Sequence, residues 1–200
     1  MQVNLETYKG IIFDMDGTLV NSMPLHLKAW QLTAEKFDFE YDEEWLYNQG
    51  GTPTYGIAEL INAKQQRNLD PSALAVSKRE FFDQIRHQVA LIPETFALLQ
   101  QLQGQKKLAI GTGADASTTE FILNTLDLLP LVDVVVNAND VERHKPEPDT
   151  FLLAAQKIGL TPDQCVVFED TKTGLAAAQA AGMDCYLVIN NKIARFVPKP

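Results

Sequence analysis

The stretch that decides the fold is YKGIIFDMDGTL, at residues 8–19. Its first part, Tyr8 to Asp14, is a short apolar run that ends in an Asp-x-Asp-Gly turn, which is typical of a buried strand with acidic residues at its carboxyl end. Similar runs follow at residues 107–113, 131–140, 165–170 and 184–190. Helical patterns separate them at residues 94–102, 117–126, 148–158 and 174–181. This alternation predicts an α/β fold with a doubly wound parallel sheet covered by helices on both faces.

The first connection is much longer than one crossover helix needs, because strand 1 ends at Asp14 and the next strand begins near Lys107. Residues 20–90 have helical periodicity throughout, which predicts a small helical cap domain inserted into a Rossmann-like core made of residues 1–19 and 91–200. The cap leaves the sheet at the edge where open α/β folds bind ligands, so we expect it to act as a lid. The predicted apolar stripes are Leu27, Trp30, Ala34 and Phe37; Ile57, Leu60 and Ile61; and Leu74, Phe81, Phe82, Ile85 and Val89.

The composition is that of an ordinary globular protein, with 46% apolar and 22% charged residues. The formal charge of −9 argues against nucleic acid as a partner, because binding to phosphate backbones needs a basic face. No run approaches the roughly 18 apolar residues of a membrane helix, and no signal-peptide pattern is recognisable, so we expect no membrane association and a cytoplasmic location. Cys165 and Cys185 each open an apolar run and are expected to be buried free thiols.

Acidic residues follow two of the predicted strands. Asp14 and Asp16 stand on either side of a sharp turn, and Glu169 and Asp170 end the strand that begins at Cys165. By themselves the first pair fits a simple Asp-Gly turn, and Asp170 or Thr171 could cap the next helix. If the two strands are neighbours, the four carboxyl groups converge and require a cation, for which oxygen-preferring Mg²⁺ is the natural choice.

Two further segments suit an anion. GTGAD at residues 111–115 follows a strand and opens a helix, which aims backbone N–H groups and the Thr112 hydroxyl in one direction. Lys145 stands in HKPEP, next to a proline that restricts its backbone. Taken alone, the first segment also fits a capped turn and the second a solvated surface lysine.

Together, FDMDGTL, GTG, HKPEPD and FED resemble the signature of the haloacid dehalogenase-like phosphohydrolases, and the resemblance covers essentially the whole chain. It implies that Asp14 is the nucleophile that forms an aspartyl-phosphate, and that Asp16 is the acid and base. Like-charge crowding is expected to let Asp16 hold a proton near neutral pH. The presence of Asp16 disfavours dehalogenation, since the family's dehalogenases lack an acid there.

The resemblance also implies the ligands of each group at the site. Mg²⁺ is expected to bind the carboxylates of Asp14 and Asp170 and the backbone carbonyl of Asp16, with Glu169 reaching it directly or through water. The phosphoryl oxygens are expected to meet Thr112, the Gly113 N–H and Lys145.

Within the family, NSMPLHLKAW at residues 21–30 is most similar to the β-phosphoglucomutase and sugar phosphate phosphatase branch. Three cap residues are candidates for substrate contacts: His26, Thr54 and Lys78. His26 could equally be an ordinary surface or half-buried histidine, and Lys78 a lysine whose stem covers apolar surface. The mutase branch has an arginine at the position of Thr54, where it grips a second phosphate.

The expected function is therefore a Mg²⁺-dependent phosphatase for small sugar monophosphates, such as fructose 1-phosphate or 6-phosphogluconate. The alternative is a β-phosphoglucomutase that interconverts β-glucose 1-phosphate and glucose 6-phosphate. A phosphoacceptor signalling module is disfavoured by the inserted cap and by Asp16. We expect a monomer or weak oligomer whose partner is a small phosphorylated sugar.

Overall fold

The computed structural model of the chain describes residues 3–200. One six-stranded sheet has the order β3-β2-β1-β4-β5-β6, in which the first five strands are parallel. The strands are β1 Gly10–Phe13, β2 Lys107–Gly111, β3 Val134–Val136, β4 Cys165–Glu169, β5 Asp184–Ile189 and β6 Lys192–Val197.

The α-helices of these residues connect the parallel strands or form the long insertion after β1. They are α1 Met23–Phe37, α2 Glu43–Asn48, α3 Thr54–Gln65, α4 Pro71–Ile85, α5 Pro93–Leu102, α6 Ala116–Thr125, α7 Asp149–Lys157 and α8 Lys172–Ala180.

The sheet is packed on both faces, as the alternating pattern predicts. Ile11 and Phe13 of β1 belong to one apolar cluster with buried residues of α5 and α6. Ile12 points to the other face and belongs to a second cluster with residues of α7 and α8. The α/β prediction is confirmed, and β1 and β4 are buried over their whole length because they lie at the centre of the sheet.

The sequence analysis missed the last strand. β6 pairs antiparallel with β5 at the sheet edge, so the sheet is not entirely parallel. Asn190 and Asn191 join the two strands with positive φ angles of 51° and 61°. Asparagine tolerates this left-handed backbone, and two such residues form the tight turn that suits a hairpin. The Asn-Asn pair could therefore have predicted this hairpin from the sequence.

The insertion, α1 to α4, has an apolar cluster of its own that includes Trp30, Leu46, Ile61 and Leu74. The two chain crossings between the insertion and the sheet lie side by side, since the Asn21 N–H donates to the Ala90 carbonyl at 2.8 Å and the Ile92 N–H to the Leu19 carbonyl at 2.8 Å. These observations support the proposed division at residues 19/20 and 90/91. We call residues 20–90 the cap and the remainder the core.

The predicted stripe on α3 was wrong at one position. Leu60 is 40% exposed, whereas Ile57, Ala58 and Ile61 are buried. A helix of 3.6 residues per turn puts residues 57, 58 and 61 on one face, and Leu60 lies off that face.

Both predicted free thiols, Cys165 and Cys185, are buried and unpaired. Across residues 3–200, no helix combines the length and the apolar character needed to cross a membrane.

Adjacent residues of α3 allow a matched test of the cap interior. Ile61→Ala removes a side chain that is 1% exposed and should lower the free energy of unfolding by about 2–5 kcal/mol. Leu60→Ala should lower it by less than about 1 kcal/mol, because this side chain is 40% exposed and lies off the buried face. Urea titration followed by tryptophan fluorescence measures both, since Trp30 and Trp45 lie in the cap. Equal losses in the two variants would contradict the assigned face.

Candidate active site

The predicted core residues meet at the carboxyl edge of the sheet. Asp14 follows β1, Thr112 and Gly113 follow β2, and Glu169 is the last residue of β4. β1 lies between β2 and β4, so their carboxyl ends are adjacent. The order of the strands also reverses here. β2 and β3 lie on one side of β1, and β4 and β5 lie on the other side. Such a switch point opens a crevice in doubly wound folds.

Lys145 is the charged centre of the site. Its Nζ lies 2.7 Å from Asp14 Oδ1 and 3.0 Å from Glu169 Oε1, and it donates to the Gly111 carbonyl at 3.1 Å. The ammonium is also 4.5 Å from the ring centroid of Phe151. Burial alone would lower the pKa of Lys145, but the two carboxylates outweigh burial and hold its pKa above the usual value. The interpretation of a solvated surface lysine is therefore wrong.

Three carboxyl groups surround this ammonium. Asp14, Glu169 and Asp170 each place an oxygen within 4.8 Å of the others. Burial is the largest cause that raises the pKa of Asp14, to about 8, and Glu169 adds to it against the lowering effect of Lys145. Burial, and then the charges of Glu169 and Asp14, raise the pKa of Asp170 well above its usual range, against the lowering effects of Tyr47 and Lys145. One ammonium is too little positive charge for two buried carboxylates and a third that is half-buried.

The cluster fits a hard divalent cation by a second observation. Asp170 Oδ1 is buried and has no hydrogen-bond partner among the described residues. An orphaned carboxylate oxygen is costly unless a ligand satisfies it, and an all-oxygen donor set is what Mg²⁺ prefers. The side chain of Asp16 is not part of the cluster, which agrees with a role through its backbone carbonyl alone.

Glu169 is held by the start of α8. The Thr171 N–H donates to Glu169 Oε2 at 2.6 Å, and the Thr171 hydroxyl caps the helix by accepting from the Gly174 N–H at 3.0 Å. A Cβ at Gly174 would lie 1.8 Å from Glu169 Oε1, so this position requires glycine. Thr171, rather than Asp170, is therefore the residue that caps α8, and it also orients a carboxylate of the site.

The surroundings of Asp16 differ from the prediction of like-charge crowding. Its Oδ1 accepts from the Ser22 hydroxyl and lies 3.2 Å from His26 Nε2, and its Oδ2 is 3.5 Å from the Thr112 hydroxyl. Burial raises the pKa of Asp16, but His26, Ser22 and Lys78 together outweigh it and hold the pKa below its usual value. Crowding was the wrong cause, because the carboxylate points toward donors of the cap rather than toward the cluster.

Lys78 and His26 form a pair within the cap, in which Lys78 is buried and His26 is half-buried. Lys78 Nζ lies 2.7 Å from His26 Nδ1, and the imidazole stacks on the ring of Phe82 at 4.2 Å between centroids. Burial lowers the pKa of both groups, to about 8 for Lys78, although Asp16 opposes the shift. Neither residue is an ordinary surface group, and both line the cavity described next.

A cavity of about 70 Å³ lies between the cap and the sheet edge. Its walls include all the predicted cap residues, His26, Thr54 and Lys78, together with Thr112 and Gly113 of the core. The others that line it are Asp14, Asp16, Met23, Leu27, Trp30, Leu46, Gly50, Gly51, Thr52, Ile57 and Ala114.

The cap is closed over the core in this structure. A Cβ at Gly113 would lie 2.0 Å from the Gly51 carbonyl oxygen, so the two backbones are in close contact. The Thr173 hydroxyl donates to the Asn48 carbonyl at 2.8 Å, and the Tyr47 hydroxyl donates to Asp170 Oδ2 at 2.7 Å.

Sequence reasoning missed two polar residues of this site, Ser22 and Tyr47, and gave Thr171 only a helix-capping role. Ser22 and Thr171 carried a visible signal, because each directly precedes a helix. Tyr47 carried none, because only the closed arrangement of the cap and the core brings its hydroxyl to Asp170.

Comparison with known proteins agrees with this geometry. The family described as haloacid dehalogenase-like hydrolase matches residues 11–188. Fructose-1-phosphate phosphatase YqaB of Escherichia coli is 42% identical over 90% of this chain and 95% of its own. The β-phosphoglucomutase of Bacillus subtilis is 28% identical over 88% of this chain and 80% of its own. The crystal structure of a hydrolase from Pseudomonas syringae, 24% identical, superimposes with a TM-score of 0.83 over 92% of this chain and 85% of its own.

The chain thus belongs to the haloacid dehalogenase-like hydrolases, and within them it is a phosphoric monoester hydrolase. The resemblance found in the sequence motifs is confirmed.

The buried charge of Lys78 predicts a stability cost. Its pKa is about 8 in the folded chain and 10.5 when unperturbed, so below pH 8 the folded state carries a penalty of about 3 kcal/mol that disappears as pH rises toward 10.5. Lys78→Met should therefore raise the free energy of unfolding at pH 7, and its advantage should fall below about 1 kcal/mol at pH 10. Urea titrations of parent and variant at both pH values measure this. A variant less stable than the parent at pH 7 would contradict it.

Proposed function

We propose that this enzyme is a Mg²⁺-dependent phosphatase that hydrolyses small sugar monophosphates, of the fructose 1-phosphate or 6-phosphogluconate kind, through an aspartyl-phosphate at Asp14. One observation carries the proposal. Asp14 lies at the wall of a cavity beneath the cap, in contact with Lys145 and beside two further carboxylates, with Asp16 directed to the same cavity.

Asp14 is the proposed nucleophile. Attack on phosphorus requires its ionised form, and the adjacent Lys145 ammonium favours that form. A Mg²⁺ ion held by Asp14, Glu169, Asp170 and the carbonyl of Asp16 would supply the remaining positive charge that favours ionised carboxylates and offsets the charge of the phosphoryl oxygens. Lys145 and Thr112, with the Gly113 N–H, would bind those oxygens on the protein side.

Asp16 is the proposed acid and base. The Ser22 and His26 contacts hold its carboxyl group at the cavity, where a leaving oxygen would lie. These contacts favour the ionised form in the free enzyme, whereas the negative charge of a bound phosphoryl group would favour the protonated form. The proton required for the leaving group would therefore accompany substrate binding, and the ionised carboxylate would then activate water.

The cavity supports a monophosphate substrate. Among the described residues that line it, the side chains able to carry positive charge are His26 and Lys78. Burial lowers the pKa of His26, which favours the neutral ring, and Lys78 contacts that ring. Thr54 supplies no charge. A second phosphate would thus meet a single flexible ammonium rather than a bidentate guanidinium.

Two observations favour the mutase alternative. Lys78 does place one ammonium at the cavity, and a β-phosphoglucomutase is among the relatives of this chain. Against it stand Thr54 and the apolar side chains of Trp30, Leu46 and Ile57 on the cavity wall, which suit a sugar better than a phosphate. The charges of the residues that line the cavity favour the phosphatase hypothesis.

The cap must open to admit substrate. A cavity of about 70 Å³ is several times smaller than the roughly 300–1,000 Å³ of typical ligand pockets. We propose that opening occurs at the paired crossings near Val20 and Leu91, which form an isolated bridge between the two parts of the chain.

The cytoplasmic location and the monomeric or weakly oligomeric state stay predictions.

Substrate assays with the purified enzyme test the function. Fructose 1-phosphate with Mg²⁺ should release inorganic phosphate, and excess chelator should abolish the release because the carboxylates then lack their counter-charge. β-Glucose 1-phosphate with its bisphosphate primer should give little glucose 6-phosphate, because the cap lacks a second phosphate site. A coupled assay of both products in one preparation measures this. Glucose 6-phosphate formed faster than free phosphate would favour the mutase, and full activity in chelator would contradict the metal assignment.

A further inference from the structure

Tyr47 is a cap residue that reaches the carboxylate cluster of the core. It lies near the end of α2, and its hydroxyl donates to Asp170 Oδ2 at 2.7 Å across 123 positions of sequence. The side chain is partly buried at the boundary between cap and core. Burial and then the charge of Asp170 raise the pKa of Tyr47 above its ordinary value, so the phenol is a hydrogen-bond donor at neutral pH and the contact suits an ionised Asp170.

The two oxygens of Asp170 have different surroundings. Oδ2 accepts from Tyr47. It also lies against the turn at Gly17 of FDMDGTL, since a Cβ at that glycine would be 2.1 Å from it. Oδ1 is buried and has no partner among the described residues. The carboxyl group is therefore fixed through one oxygen, and the other has no protein partner. Asp170 also contributes a carboxylate oxygen to the cluster with Asp14 and Glu169.

From this division we propose that Tyr47 is a positioning residue for the cation: it orients Asp170 so that Oδ1 faces the ion, and it links closure of the cap to cation binding. The inference rests on the Mg²⁺ part of the proposed function. Hydrogen-bond partners of metal ligands commonly change metal affinity by about 10- to 100-fold. Here that partner is present only when the cap is closed.

Linkage makes the effect reciprocal. If closure tightens cation binding by some factor through Tyr47, the cation must favour closure by the same factor. Other contacts hold the cap without touching a carboxylate, such as the bond from the Thr173 hydroxyl to the Asn48 carbonyl at 2.8 Å. Removing such a bond should weaken closure with and without the cation alike. The two kinds of contact can therefore be separated experimentally.

Three variants test the assignment. Tyr47→Phe removes only the hydroxyl. Tyr41→Phe is the matched control, because Tyr41 is also a cap tyrosine but its hydroxyl contacts Glu43 at the surface, at 3.4 Å. Thr173→Val removes a bond between cap and core that involves no carboxylate. Two readouts need no substrate: the Kd of Mg²⁺ by titration calorimetry, and amide hydrogen exchange of residues 48–52 with and without Mg²⁺.

We expect Tyr47→Phe to raise the Kd of Mg²⁺ by about 10-fold or more, and Tyr41→Phe to leave it within about twofold. In the parent, Mg²⁺ should slow exchange at residues 48–52, and Tyr47→Phe should reduce this slowing by a similar factor. Thr173→Val should speed exchange in both conditions and retain the response to Mg²⁺.

The possible failures are distinguishable. A parent protein that binds no Mg²⁺ would overturn the metal assignment of the proposed function and this inference with it. A parent that binds Mg²⁺, together with a Tyr47→Phe variant of equal or tighter affinity, would overturn this inference alone. Loss of Mg²⁺ affinity in Tyr41→Phe as well would also overturn it, because the effect would then belong to cap stability in general.

Discussion

The site depends on one buried ammonium, that of Lys145, held between Asp14 and Glu169. Taking three charged groups out of water is costly, and the mutual attraction offsets that cost only where the geometry is good and the remaining lone pairs are satisfied. The sheet order provides that geometry, because β1 and β4 are neighbours and present their carboxyl ends together. Asp170 adds a third carboxyl group that the ammonium does not neutralise, and this excess of negative charge is the physical reason to expect a cation here.

The cap contributes a second set of polar groups at the cavity, for which we propose a role in the chemistry rather than in stability. Lys78 is buried and His26 is half-buried, and burial lowers the pKa of both. An apolar pair at these positions would pack as well and avoid the desolvation of a charge. Their contacts lead instead to Asp16, whose carboxyl group they hold at the cavity. A destabilising arrangement retained next to reacting groups is a common feature of functional sites.

Much of the fold could be predicted from sequence, because buried parallel strands and amphipathic helices have distinct periods. The same periodicity wrongly predicted that Leu60 is buried. It also failed to predict β6, because a strand exposed at the sheet edge shows little of the apolar pattern of a buried strand. The residues after each strand were also predictable, since adjacent strand ends must converge. The pKa of Asp16 was not, because the residues that lower it, His26, Ser22 and Lys78, belong to the cap and not to the strand ends.

Residues that act across the boundary between cap and core are the least predictable part. The contact from Tyr47 to Asp170 depends on how the cap and the core meet, and no local pattern encodes that arrangement. The position of Lys78 was partly predictable, as a charge on an otherwise apolar helix face. Its partner His26 lies 52 positions away and is found only when α1 and α4 are packed together.

Asp14 is the proposed acceptor of the phosphoryl group, and the most direct measurement is to trap that intermediate. The parent enzyme is mixed with Mg²⁺ and a sugar monophosphate carrying a radiolabelled phosphoryl group, then quenched in acid within milliseconds and digested. We expect the radiolabelled phosphoryl group on the peptide that contains Asp14. The near-isosteric Asp14→Asn variant should carry no radiolabel, and it should remain folded and inactive. Turnover by Asp14→Asn, or label on a different residue of the parent, would contradict it.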